Sequence, residues 1–180
     1  MYRGLGMRTF HYFLPGGDAG TRAIVGHMKR LVREGKVSPL VRDLALSITS
    51  GIPGRSGIAQ AVAIRNWLAI NVDFTRDPSG AELLYTPQRL VKILTERGPP
   101  LRIDCDDVAV LAAALGASVG LRGRFQLVGF LSPRAPFRHV WAELASPSGD
   151  RRWVQMDVTR ASQSLPMNRA VQRRWIVKLG

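Results

Sequence analysis

The 180 residues carry 26 Lys+Arg against 13 Asp+Glu, a formal net charge of +13, with 46% hydrophobic residues and a single cysteine. This length buries the core of one domain with room for an extension; no apolar run reaches the ~20 residues of a membrane span, and the N-terminal apolar patch is too short for a signal-peptide core. One cysteine excludes an internal disulfide and a zinc site built on several thiolates, and it fits a reducing, cytoplasmic compartment.

A short strand is expected over residues 8–14 (RTFHYFL). Residues 20–34 then place Ile24, Met28, Leu31 and Val32 on one face of a helix, with Gly35 as its stop. Ser38-Pro39 opens a second helix, running to about Thr49, by the N-cap and proline-at-N1 rule. After the turn-rich 50-SGIPGRSG-57, a third helix over 57–70 carries Ile58, Val62 and Trp67. The stretch 71–85 reads as a long loop, and Thr86-Pro87 caps a fourth helix ending near Gly98-Pro99-Pro100. A fifth helix, Cys105 to Ser118, is apolar nearly all round, which places it in the middle of a core. After Gly120 the period changes from 3.6 to 2, giving strands over 123–131, 137–144 and 151–158, with another near 173–178. Helices followed by an antiparallel meander define an α+β fold, with the central helix packed on the sheet.

The stretch 104-DCDD-107 opens the fifth helix and admits three readings of Cys105. A calcium loop is excluded by the missing glycine and glutamate at its sixth and twelfth positions, and the three histidines (11, 27, 139) are not in paired ligand spacing, so no metal or cofactor is expected. The acids are read as an N-cap, Asp104, with Asp106 and Asp107 opposing the helix dipole. A lone cysteine is more often structural than reactive. A helix start, however, favours the thiolate, which is the nucleophilic form.

Two strands supply a base. In 137-FRHVWAEL-144, Phe137, His139, Trp141 and Glu143 share one face; in 151-RRWVQMDV-158, Trp153, Gln155 and Asp157 share one. With both apolar sets turned to the core, His139 and Asp157 lie on the same side. A hairpin centred on Ser148 of 145-ASPSGD-150 sets His139 opposite Asp157 and Trp141 opposite Gln155. Cysteine, histidine and aspartate in this order meet the requirements of a thiol triad.

The segments DCDDVAVLAAALGASVGL, FRHVWAEL and RWVQMDVT resemble the transglutaminase-like superfamily of papain-like thiol enzymes, over roughly residues 56–160. The family pattern is G-D-C-D-[DE] entering a helix, then H-V-W-x-E, then D-x-T; this chain has Ile103 where the family usually has the glycine. The chain is similar to the compact bacterial and phage-associated branch of that superfamily. The resemblance implies residues 56–180 as a catalytic core with a basic tail, and 1–55 as a helical extension packed on it. It also implies Cys105 as nucleophile, His139 as base and acid, and Asp157 as orienting carboxylate.

The activity so implied is acyl transfer on amide or peptide bonds through a thioester, as a protease, amidase or transglutaminase. Trp141 is read as a wall of the acyl site or a packing residue. Gln88 and Trp67 are the candidates for a second oxyanion donor, beside their plain readings as a cap-adjacent polar and a core aromatic. The expected partner is a protein or peptide substrate.

The alternative is a virion-associated assembly protein that keeps the fold with little turnover, its partners being phage structural proteins. Only four of the basic residues are lysines, and the rest are scattered arginines apart from a denser tail (Arg160, Arg169, Arg173, Arg174, Lys178). Nucleic-acid contact therefore rests on charge alone, and no membrane contact is expected.

Overall fold

The computed structural model describes residues 8–12, 16–53, 56–76, 82–147, 152–158 and 171–180. In chain order the elements are β1 (Thr9–Tyr12), α1 (Gly17–Lys36), α2 (Pro39–Ile48), α3 (Gly57–Asn71), β2 (Val72–Phe74), β3 (Glu82–Tyr85), α4 (Pro87–Arg97), β4 (Leu101–Ile103), α5 (Cys105–Ser118), β5 (Arg122–Gly129), β6 (His139–Ala145), β7 (Val154–Gln155) and β8 (Arg173–Leu179). This is the α+β arrangement the sequence predicts.

Helix α5 is the axis of the fold. Every residue from Asp106 to Gly116 is buried, because α1 to α4 pack around it and β5 and β6 close its remaining side. The main sheet has the order β7-β6-β5-β8, all neighbours antiparallel. Its inner face sets Phe125, Leu127, Val140, Ala142, Leu144, Met156 and Val177 against α5. Among the described residues no helix is long and apolar enough to cross a membrane.

Four expectations need correction. Gly35 does not stop α1, which continues to Lys36. Its missing side chain serves packing instead, since a Cβ there would lie 2.7 Å from the Pro87 ring and 2.9 Å from Ala114. The loop expected over 71–85 is strand at both ends. Val72–Phe74 pairs in parallel with Leu101–Ile103, and Glu82–Tyr85 pairs antiparallel with Thr9–Tyr12; three- and four-residue strands are too short to show a period. The strand expected over 151–158 shrinks to Val154–Gln155.

The hairpin register is also shifted. Glu143 faces Gln155 and Leu144 faces Val154, so the hairpin is centred on residue 149 rather than 148, and the same register sets Trp141, not His139, level with Asp157. The shift moves the pairing by two residues. That preserves which face every side chain occupies, and it leaves His139 diagonal to Asp157 instead of opposite it.

Candidate active site

Strand β4 delivers the chain to the start of α5. Ile103 is buried, pairs with Phe74, and its carbonyl accepts from the Thr75 N–H at 2.9 Å. No described non-glycine residue has positive φ, so the backbone at Ile103 is ordinary strand and does not require the family's glycine. Asp104 then caps the helix, its Oδ1 accepting from the Asp107 N–H at 3.4 Å. Cys105 is the first helical residue and is partly exposed.

The three acids around the thiol are held by backbone donors. Asp106 Oδ1 accepts from the Asp107 N–H at 2.9 Å, and Asp107 Oδ1 accepts from the Tyr85 N–H at 2.9 Å, which ties β3 to α5. A ligand oxygen of each of Asp104, Asp106 and Asp107 lies within 4.8 Å of the others, the one such metal-competent group among the described residues. Each of the three has one oxygen held by a backbone N–H, from Asp107 for Asp104 and Asp106 and from Tyr85 for Asp107. Asp106 goes further than a first-turn acid: it is 5% exposed, and its Oδ2 has no hydrogen-bond partner among the described residues. Burial first, then the hydrogen bond and charge of Asp104, and then the charges of Asp107 and Cys105 push its carboxyl well above the usual range.

His139 opens β6, opposite Val128 of β5, and is 5% exposed. Its Nε2 lies 2.9 Å from Asp157 Oδ2, both side chains being almost fully enclosed. The diagonal reach across β6 and β7 therefore brings together the two residues that the sequence pairs. Cys105 and His139 line one cleft of about 410 Å³, with Asp104, Asp106 and Phe137. Its opposite wall is the N-terminal half of α1, at Gly17, Gly20, Thr21, Ile24 and Met28. Sequence reading places Ile24 and Met28 on a packing face and attaches no site to any of the five.

Trp141 stands beside the histidine, ring centroids 5.6 Å apart and tilted by 38°. Its indole N–H donates to Glu143 Oε1 at 3.4 Å. Glu143 anchors the rest of the sheet's outer face, accepting also from Arg124 Nε and from Gln126 Nε2 at 3.0 Å. Arg124 in turn lies 4.0 Å over the Trp153 ring. The polar face predicted for β6 is thus buried at His139 and Glu143, together with Gln126 of the neighbouring β5.

The two other candidates lie elsewhere. The Gln88 amide donates to the Glu34 carbonyl at 3.2 Å, where α4 meets the C-terminal end of α1, and it does not line the cleft. Trp67 packs against the core from α3. Neither is among the residues that line the cleft with Cys105.

The family model of the transglutaminase-like superfamily matches residues 42–158, more than half of the chain. No curated protein matches it. A solved structure from Cytophaga hutchinsonii, named as a "putative cysteine protease", aligns with a TM-score of 0.48 and 20% identity over 78% of this chain. The aligned region spans 40% of that protein's length.

Proposed function

The chain belongs to the transglutaminase-like superfamily, and from that premise we infer that it is a thiol enzyme of acyl transfer on amide or peptide bonds, with Cys105, His139 and Asp157 as its triad. The observation that carries this reading is the enclosed His139–Asp157 pair, at 2.9 Å, opening on the same cleft as a helix-start cysteine.

The chemistry follows from which nitrogen is engaged. Asp157 holds Nε2, so Nδ1 takes the proton of the Cys105 thiol. The sulfur attacks the carbonyl carbon, and the oxyanion is met by the Cys105 backbone N–H at the positive end of α5. His139 gives its proton to the departing amine as the C–N bond breaks, leaving a thioester. Water or a second amine, deprotonated by His139, then attacks the thioester. The product is a carboxylic acid or a new amide, and the thiol is restored. Trp141, packed on the imidazole, limits the ring's rotation.

Iodoacetamide labelling of the folded protein across pH tests this. Cys105 is expected to alkylate below neutral pH, where an ordinary thiol with a pKa of ~8.5 is slow. The His139→Ala variant is expected to lose at least about tenfold of that rate. A rate indifferent to His139, or a thiol closed to reagent in the folded state, overturns the proposal and favours an assembly role on a silent fold.

A further inference from the structure

A second hollow, of about 270 Å³, adjoins the Cys105 cleft and shares Thr21 and Phe137 with it. Three guanidinium-bearing side chains border it, Arg22, Arg173 and Arg174, against one carboxylate, Asp18. We propose that this hollow is a subsite for a carboxylate-bearing side chain of a peptide bound across Cys105, with Arg22 and Arg174 as its ligands.

The three arginines have different occupations. Arg173 is already committed: it grips Asp18 through both carboxylate oxygens, at 2.8 and 2.5 Å, and donates to the Ala135 carbonyl at 3.2 Å. Its guanidinium lies 4.2 Å over the Phe137 ring. Arg173 therefore fixes the partition between the two hollows and the N-terminal end of α1. The Arg22 and Arg174 side chains are exposed and make no ion-pair contact or hydrogen bond among the described residues, although the charge of Arg22 helps to hold the Asp18 carboxyl below its ordinary range. Two positive charges without a direct ion pair thus border a polar hollow that adjoins the cleft of the thiol, and among the described residues its one carboxylate, Asp18, is already gripped by Arg173.

The size and the charges identify the ligand. The hollow takes one side chain, and a planar guanidinium fork matches a carboxylate through two parallel hydrogen bonds. Asp18 on Arg173 is a worked case of that match within the same hollow. A nucleic-acid backbone, by contrast, needs a row of cations spaced along an extended track. The proposal rests on the acyl-transfer reading for the path of the peptide, but its binding can be measured without turnover.

The test uses the full chain carrying Cys105→Ala and two fluorescein-labelled peptides, Ala-Gly-Glu-Gln-Glu-Gly-Ala and its counterpart with glutamine at all three central positions. Fluorescence anisotropy is expected to show about tenfold tighter binding of the acidic peptide, weakening with added salt. Arg22→Gln with Arg174→Gln should abolish that preference, Arg174→Glu should reverse it, and Arg97→Gln on α4 should leave it intact. Equal binding of the two peptides, no binding of either, or a preference that survives the double substitution overturns the subsite. So does a single-stranded oligonucleotide that binds through Arg22 and Arg174 in preference to the acidic peptide. A lost preference with His139-dependent alkylation intact removes the subsite alone; a retained preference with a silent thiol removes the acyl-transfer reading alone.

Discussion

Asp106 shows how far a residue's chemistry can depart from its place in a motif. In sequence it is one more acid in the first turn of a helix; in the fold it is enclosed, with one oxygen unpartnered among the described residues. Its carboxyl is raised by burial and by Asp104, Asp107 and Cys105, so between the ordinary value of 3.8 and the raised one the folded protein holds a proton that the unfolded chain has released. Stability must then fall as pH rises through that window. Asp106→Asn removes the proton linkage and keeps an oxygen to accept from the Asp107 N–H. Thermal melts at about pH 5 and pH 8 should show a smaller pH dependence in the variant, with a higher Tm than wild type at the upper pH. A Tm equal to or below wild type at the upper pH contradicts this. The shared facing of His139 and Asp157 was legible in the alternation of their segments, and the helix start at Cys105 was legible in its capping aspartate. The burial of Asp106 was not, because it depends on packing against elements distant in the chain, such as α1.

At the scale of elements, legibility followed locality. The five helices were readable from period and caps, and the Thr86 hydroxyl does accept from the Arg89 N–H at 3.3 Å. Strand pairing was readable only in parity. Alternation decides which face a residue occupies, whereas the register is decided by the turn, and here it moved by two residues without moving a side chain to the other face. Gly35 teaches the complementary lesson: a glycine near a helix end suggests a stop, and close packing of a second helix requires the same residue. Gly35→Ala gains about 1 kcal/mol of helix propensity. It also drives a methyl into the rigid Pro87 ring and Ala114, an overpacking that costs about 1–3 kcal/mol. Gly116→Ala meets the Leu144 methyls at 2.6 Å, but these end a flexible side chain that can turn aside. Urea denaturation should therefore find Gly35→Ala the more destabilised of the two, and the reverse order refutes this account of α1–α4–α5 packing.

The whole molecule depends on α1 more than its position ahead of the family match at residue 42 suggests. It buries Ile24, Val25, Met28, Leu31 and Val32 in the common core. At about 1.5–3 kcal/mol for each such side chain, their sum rivals the entire stability of a typical domain, about 5–15 kcal/mol. Deleting residues 1–36 should therefore abolish cooperative unfolding by calorimetry, rather than trim an appendage and leave a stable remainder. The net charge of +13 acts at the same scale. A charge of this size attracts any polyanion from a distance without specifying one, and discrimination would fall to the proposed subsite.

The grip of Arg173 on Asp18 joins residues 155 positions apart, and this separation sets a sequence of events in time. On the ribosome the proposed nucleophile, base and orienting carboxylate all emerge before Arg173 does. The sheet gains β8 on its outer edge, and α1 is fastened at its first turn, only after those three groups are in hand. A nascent chain thus acquires the proposed triad first and the partition beside its cleft last.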